Sequence, residues 1–296
     1  DLECLARIAE WRGDSATAAR AREQYAHLVA RMNQVLWSDH DGLYLDEHPG
    51  GHSRRVGASS FLPLIAGVPT LERAKRMVST LTDPNRFWGP WVLPSVSRDD
   101  PSFPDQQYWR GSIWPPMNYL VLQGLRRYGF HEEATILALR GARMFLEDSR
   151  ATGMCRENFD ARTGHGQGRR FQSWGPLFAL GAVEEWVRTC PWEGTTVGLP
   201  GRGPAAGEVG SGTGVARMPL DVHTWWVEPE PGGYRFRIDE YDWVRVESSG
   251  PLTSVRLNGS VLQARCTRDA RLKTSRDEVN GAAGETMAVS LAIRSR

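Results

Sequence analysis

A mainly α-helical body followed by a small antiparallel β domain is what this 296-residue sequence predicts. Three observations carry that reading. Apolar residues recur at the 3.6-residue spacing of buried helix faces from Leu2 to about residue 190. No strand pattern alternates with them, which disfavours a parallel α/β sheet. At Pro191 the texture changes: a glycine-rich stretch gives way to short β-type runs broken by Pro-Gly, Gly-Gly and Asn-Gly turns. The expected organisation is a helical domain over 1–190, a linker over 191–216, and a small sheet or sandwich over 217–296.

Within the helical part, Leu2, Leu5, Ile8 and Ala9 have helical spacing, with Gly13 as the stop. Asp14 or Ser15 caps the next helix, whose apolar face runs Tyr25, Leu28, Val29, Met32, Val35 and Leu36. These two helices are expected to pair. A polar loop with a short extended piece at Leu43–Leu45 follows. A short helix is expected over 59–66 and another over 71–81, opened by Thr70, with Ala74, Met77 and Val78 inward. A helix starting near Ser112 accommodates Pro115 and Pro116 because first-turn N–H groups lack intrahelical partners. It buries Ile113, Met117, Leu120, Val121, Gly124, Leu125 and Tyr128. Helices over 131–149 and 171–189 complete the body. In the β part, HTWWVEPE, GYRFRIDEY, DWVRVESS, SVRLNG and ETMAVSLAIRS read as strands.

Lys and Arg total 36 against 35 Asp and Glu, so no broad field favours nucleic acid or an anionic membrane. Cys4, Cys155, Cys190 and Cys266 are widely spaced, without a CxxC pair, and suggest neither a zinc site nor a disulfide framework. Free thiols in a reducing compartment are expected. No apolar run approaches the ~20 residues that span a bilayer, and no signal peptide is visible. Together these predict a cytoplasmic protein that needs no metal or cofactor.

Chemistry concentrates in DPNRFWGPWVLPSVSRDDPSFPDQQYWRGSIWPPMNYLVLQGLRRYG, residues 83–129. Long ordered loops of this kind are usually functional. The 12 tryptophans of the chain are more than a core needs. Clustered rings beside hydrogen-bonding groups suit sugars, which offer apolar C–H faces and rings of hydroxyls. Phe87, Trp88 and Trp91 are read as cleft wall by proximity. Trp109 and Trp114 are read as ring platforms, although a Trp at a helix start is equally a core residue. Arg110 can donate to hydroxyls or pair with Asp105 or Glu157. Asn118 lies opposite most of the apolar helix face, so a solvated Asn is its plainer reading. The second loop, 151–172, is glycine-rich and holds Glu157 and His165; His165 is read as a loop residue. Trp174 either floors the cleft or packs the last helix.

The motifs YWRGSIWPPMNYLVLQGLRRYG, FWGPWVLPSVSRDDP, RENFDARTGHGQG and FQSWGPLFAL, in that setting, resemble glycoside hydrolase family 63. That family includes processing α-glucosidase and mannosylglycerate hydrolase-like enzymes and stands close to the trehalase clan. The likeness runs from about residue 2 to about residue 190. It implies an (α/α)6 toroid, here with N-terminal helices missing, ahead of the β domain. It also implies inverting hydrolysis of an α-glucoside or α-mannoside by an Asp general acid and a Glu general base. By the resemblance, Glu157 matches the base. The acid has no counterpart here and is expected upstream of residue 1, so the chain reads as the C-terminal part of such an enzyme. Asp105 is a possible substitute acid, but the family match puts no acid there, and it is read as a binding residue. By their chemistry and their place in or beside the aromatic loop, Phe87, Trp88, Asp105, Trp109, Arg110, Trp114, Asn118 and Trp174 are nominated to bind an oligosaccharide or small glycoside. A non-catalytic carbohydrate-binding or assembly module is the alternative. An epimerase is disfavoured because the seven His show no pairing.

Overall fold

The computed structural model describes residues 1–190, 194–198, 216–220 and 223–294. They form two compact units, Asp1–Gly129 with Asn158–Thr163, and Phe130–Glu157 with Gly164–Arg296. No described helix is long and apolar enough to cross a membrane.

The first unit opens with α1 (Leu2–Trp11) and α2 (Ser15–Val35), which pack as a hairpin. Gly13, at φ +73°, turns the chain where an L side chain would be strained. The Asp14 carboxylate then accepts from Thr17 N–H at 3.0 Å, satisfying one of the free first-turn donors of α2. The buried residues of this pair are Ala6, Ala9, Ala18 and Ala21. The larger apolar residues named from periodicity are only partly covered: Tyr25, Val29 and Met32 are half-buried, and Leu28 is exposed. Small side chains, not the leucines, let these helices approach.

Two two-residue strands, β1 (Trp37–Ser38) and β2 (Leu43–Tyr44), pair antiparallel. Strands β3 (Glu47–His48) and β4 (Gly51–His52) form a small exposed hairpin. The segment expected as a short helix is a 3-10 turn over Ala58–Leu64. Helix α3 (Leu71–Leu81) buries Ala74, Met77, Val78 and Leu81, and the Thr70 hydroxyl caps it by accepting from Arg73 N–H. Helix α4 (Pro115–Arg127) starts on the two prolines. Its Gly124 lies against the 3-10 turn so closely that a Cβ there would sit 2.6 Å from Leu64 Cβ. Phe61, Leu64, Met77, Leu81, Phe87, Leu93, Ile113 and Leu125 form the sealed interior of this unit. Leu120, expected inward, is exposed, and Leu122 is buried in its place.

The second unit contains α5 (His131–Thr152), β6 (Gly166–Gln167) and α6 (Leu177–Val183); β5 (Asn158–Phe159) precedes β6 in the chain but belongs to the first unit. Helices α5 and α6 meet where Gly141 leaves room for the Phe178 ring. Two local expectations fail beyond them. The helix expected over 171–189 is only α6, and Val187–Cys190 is strand β7. Inside the stretch expected as linker, Gly194–Val197 is strand β8, paired antiparallel with β7. The reason is burial: Val187 and Val197 face the β core while the threonines between them keep a strand's geometry. Residues 191–193 and 199–215 of that stretch lie outside the described residues.

β7 and β8 belong to a five-stranded sheet ordered β17-β14-β13-β8-β7, and a six-stranded sheet is ordered β16-β15-β12-β11-β10-β9. The strands are β9 (Ala216–Leu220), β10 (His223–Glu230), β11 (Gly233–Ile238), β12 (Val244–Glu247), β13 (Leu252–Asn258), β14 (Val261–Cys266), β15 (Ala270–Lys273), β16 (Glu278–Gly281) and β17 (Thr286–Ser290). Trp225, Val227, Phe236, Val244, Leu272, Leu252, Leu262 and Val289, drawn from both sheets, share one core. The alternation that predicted strands is the alternation of this sandwich, apolar residues in and charged residues out. On the outer side the Arg237 guanidinium lies 3.5 Å over the Trp226 ring centroid, and Arg235 lies 4.5 Å over Trp243.

Candidate active site

The aromatic stretch begins in the core. Phe87 is fully buried and meets Phe61 edge-on at 5.1 Å, so it is an interior anchor, not a wall of the cleft. Trp88 and Trp91 are half-buried. The Trp91 carbonyl accepts from Arg98 Nη2 at 2.6 Å. The Arg98 guanidinium sits 5.2 Å over the Phe103 ring and against Gly89, where a Cβ would collide with it; burial pushes its pKa below the usual arginine value.

From Phe103 the chain forms a 3-10 turn, Phe103–Asp105, followed by three residues of positive φ: Gln106 at +50°, Tyr108 at +54° and Gly111 at +106°. The buried Gln106 side chain stabilises this path. Its Nε2 donates to Phe103 O at 2.7 Å, and its Oε1 accepts from Ala161 N–H at 2.6 Å. Ser95 Oγ accepts from Gly111 N–H at 3.1 Å. Segment 158–161 is held further by reciprocal main-chain bonds between Ile113 and Phe159, at 2.7 and 2.9 Å.

The exposed product of this turn is an aromatic group. Trp109 and Trp114 stack with centroids 4.2 Å apart and planes 8° from parallel. Tyr108 meets Trp114 edge-on at 5.0 Å and Trp109 at 6.1 Å. Trp114 is 4% exposed and donates Nε1–H to Tyr108 O, whereas Trp109 is 44% and Tyr108 62% exposed. The core reading of Trp114 holds: it is a buried residue against which the exposed Trp109 indole stacks. Beside them Arg110 Nε pairs with Asp105 Oδ2 at 2.7 Å, both side chains about half exposed. Arg110 also donates to Gln107 Oε1 at 3.3 Å.

Asn118 corrects its plainer reading. It is 2% exposed, on the buried side of α4. Its Oδ1 accepts from Leu93 N–H at 2.6 Å, and its Nδ2 donates to Leu93 O and Trp114 O at 3.1 and 3.0 Å. The amide is spent on main chain and holds the wall from behind.

Glu157 and Trp174 belong to the second unit. Glu157 N–H donates to Arg169 O at 3.1 Å, and Glu157 Oε2 accepts from Arg169 N–H at 2.9 Å. Among the described residues its other carboxylate oxygen accepts no hydrogen bond, and the residue is partly exposed. Trp174 Nε1–H donates to Glu157 O at 3.0 Å, so this indole is tied to the main chain of the glutamate. His165 is exposed. Among the described residues no group of three or more His, Cys, Asp and Glu is arranged to hold a metal ion.

Sequence reasoning missed Gln106 and Arg98. Both are polar residues in a polar stretch. Their trace is indirect: Gly111 and Gly89 are glycines against which their side chains rest.

Comparison with known proteins supplies the rest. Residues 1–175 match a family model described as the mannosylglycerate hydrolase MGH1-like glycoside hydrolase domain. The mannosylglycerate hydrolase of Rubrobacter radiotolerans is 32% identical over 186 residues, covering 61% of this chain and 40% of that protein. The crystal structure of the GH63 mannosylglycerate hydrolase from Thermus thermophilus in complex with glucose is similar at 27% identity and a TM-score of 0.50, covering 61% of this chain and 44% of the other. A structure titled sialidase covers 85% of this chain and 25% of its own, at 14% identity and a TM-score of 0.65, a likeness of fold alone. The chain thus spans 40% or less of the curated mannosylglycerate hydrolases of Rubrobacter and Thermus that it matches.

Proposed function

Since this chain belongs to the mannosylglycerate hydrolase MGH1-like glycoside hydrolase domain family, we propose that the protein carrying it hydrolyses an α-glycosidic bond with inversion, using Glu157 as general base. The substrate class is an α-mannoside or α-glucoside, and mannosylglycerate is the first to try. The helices α1 to α6 are read as part of an (α/α)6 toroid.

The observation that carries this reading is the state of Glu157. It lies inside the family match, and one carboxylate oxygen is steadied by Arg169 N–H while the other accepts nothing among the described residues. A general base needs that combination: a fixed carboxylate with a lone pair left to take a proton from water. In an inverting hydrolase the base and the acid stand ~6.5–9.5 Å apart so that the water fits between them. No carboxylate of this chain is assigned as the acid.

Trp109, backed by Trp114 and Tyr108, is read as the stacking surface for a sugar ring. Asp105 and Arg110, half exposed and paired, are read as hydroxyl partners beside it. Trp88 contributes to the same wall. Trp174, through Glu157 O, fixes the base, while Asn118 and Phe87 support the wall without reaching ligand.

The test is turnover of mannosylglycerate by the natural protein and by its Glu157→Gln variant. Release of mannose and glycerate is followed, with the anomeric form of the mannose read by NMR. Turnover is expected to fall ~10²–10⁴-fold in the variant, with affinity retained. Unchanged turnover removes Glu157 from the mechanism. Calorimetric binding without hydrolysis by the unmodified protein supports the carbohydrate-binding alternative instead.

A further inference from the structure

Asp148 lies in the last turn of α5 and is 9% exposed. A carboxylate so placed carries a desolvation cost unless partners offset it. Its partners all belong to the loop that carries Glu157 or to its own helix. Oδ1 accepts from Gly166 N–H at 2.9 Å. Oδ2 accepts from Thr152 Oγ1 at 3.3 Å and lies 3.5 Å from Arg156 Nε. That Nε is buried and has no hydrogen-bond partner among the described residues, so the Asp148 charge is the compensation offered to it. The Arg156 and Asp148 side chains are 19% and 7% exposed, which makes this an interior pair and not a solvated one.

The geometry around the pair is tight. A Cβ on Gly166 would stand 2.2 Å from Arg156 Cγ and 2.6 Å from Asp148 Oδ2. A Cβ on Gly175 would stand 2.9 Å from Arg156 O. Both limbs of the loop are therefore clipped at one carboxylate: Arg156 on the outgoing limb and Gly166 on the returning one. The next residue on the outgoing limb is Glu157. Three residues past Gly166 on the returning limb is Arg169, whose main chain holds Glu157 through both its N–H and its C=O.

From this arrangement we propose that Asp148 is a positioning residue for Glu157: by pairing with Arg156 and accepting from Gly166 it fixes the register in which the Arg169 N–H steadies the Glu157 carboxylate. The proposal rests on the assignment of Glu157 as the base. Asp148 itself touches no substrate. Its effect falls on the reaction step because it sets the direction of a proton-accepting oxygen, and small misplacement of such a group is expensive in rate.

The experiment compares the natural protein with Asp148→Ala, Asp148→Asn and Gly166→Ala, using mannosylglycerate as substrate and glycerate release as readout, with thermal unfolding measured on each. Asp148→Ala is expected to lower kcat ~10–100-fold while KM stays within about twofold. Asp148→Asn keeps an oxygen for the Gly166 N–H but loses the charge beside Arg156, so its kcat is expected between the two. If Asp148→Ala does not fold, Asp148→Asn and Gly166→Ala carry the test, each with the same kcat-selective loss. A folded Asp148 variant with unchanged kcat and only a lower Tm overturns the proposal and leaves Asp148 a helix-end anchor. Glu157→Gln runs alongside. If it lowers turnover while the Asp148 variants leave kcat unchanged, the positioning role alone fails; if it leaves turnover intact, the assignment of the base fails.

Discussion

The indoles of Trp109 and Trp114 lie face to face, 4.2 Å between centroids, one exposed and the other almost sealed. The buried ring is held by its Nε1–H on Tyr108 O, so the exposed ring rests on a fixed base. A rigid aromatic with little conformational entropy left to lose is well suited to stacking against an apolar sugar face. Trp109→Ala is expected to weaken sugar binding about tenfold, with stability changed by ~1 kcal/mol or less. Trp114→Ala removes a buried indole and is expected to cost ~3–5 kcal/mol of folding stability. Calorimetric titration with the sugar and urea unfolding separate the two effects. Equal stability losses would contradict the layering.

Asn118 satisfies both the N–H and the C=O of Leu93. Asn118→Leu preserves volume but leaves those main-chain groups buried without partners, at ~1–3 kcal/mol for each group. A fall in urea midpoint corresponding to ~2–4 kcal/mol is expected. A change below about half a kcal/mol would show that water replaces the amide.

Gly111→Ala tests the turn that presents the aromatics. At φ +106° an added Cβ is strained, and it would stand 2.4 Å from Gln106 Nε2 and 2.5 Å from Phe103 O. Destabilisation of ~1–3 kcal/mol is expected, together with weaker sugar binding, because Gln106 is displaced from Ala161 N–H. Calorimetry and thermal unfolding check both.

Stability should fall in acid partly through Glu3. The Arg127 hydrogen bond to its carboxylate, at 2.7 Å, is the leading cause holding Glu3 below its ordinary value of 4.5, with Arg7 adding to it. A depressed folded pKa means stability that is present above the ordinary value and lost as pH falls through the folded one. The pair is about one-third exposed, so it is worth at most ~1 kcal/mol. Glu3→Gln is expected to be less stable than the natural protein by that amount at pH 7, with the gap narrowing as the pH falls below 4.5 toward the lowered folded value. Urea midpoints at pH 7 and at a series of pH values below 4.5 decide it. A gap that persists in acid would assign the effect to packing.

Much of the helical frame was readable because its signals are local. Thr70 caps α3, Pro115 opens α4 and Gly13 closes the first hairpin; each is a main-chain requirement met by a nearby residue. Strands β7 and β8 were not readable. Val187 and Val197 become strand residues only because a core drawn from residues 225–289 lies over them. Asn118 was misjudged for the same kind of reason. Periodicity counts apolar residues as inward, and it misses an amide turned inward to satisfy a distant Leu93.

By itself, the sequence determined the class of the protein and its vocabulary: a helical part, a β part, a sugar-suited run of aromatics and a glutamate in a family motif. Local propensity, periodicity and motif order suffice for that. Only the tertiary structure decided which aromatic is exposed, which polar groups are consumed by main chain, and that Glu157 keeps one oxygen without a donor among the described residues. Those are matters of burial and hydrogen-bond satisfaction, and both depend on residues brought together from far along the chain.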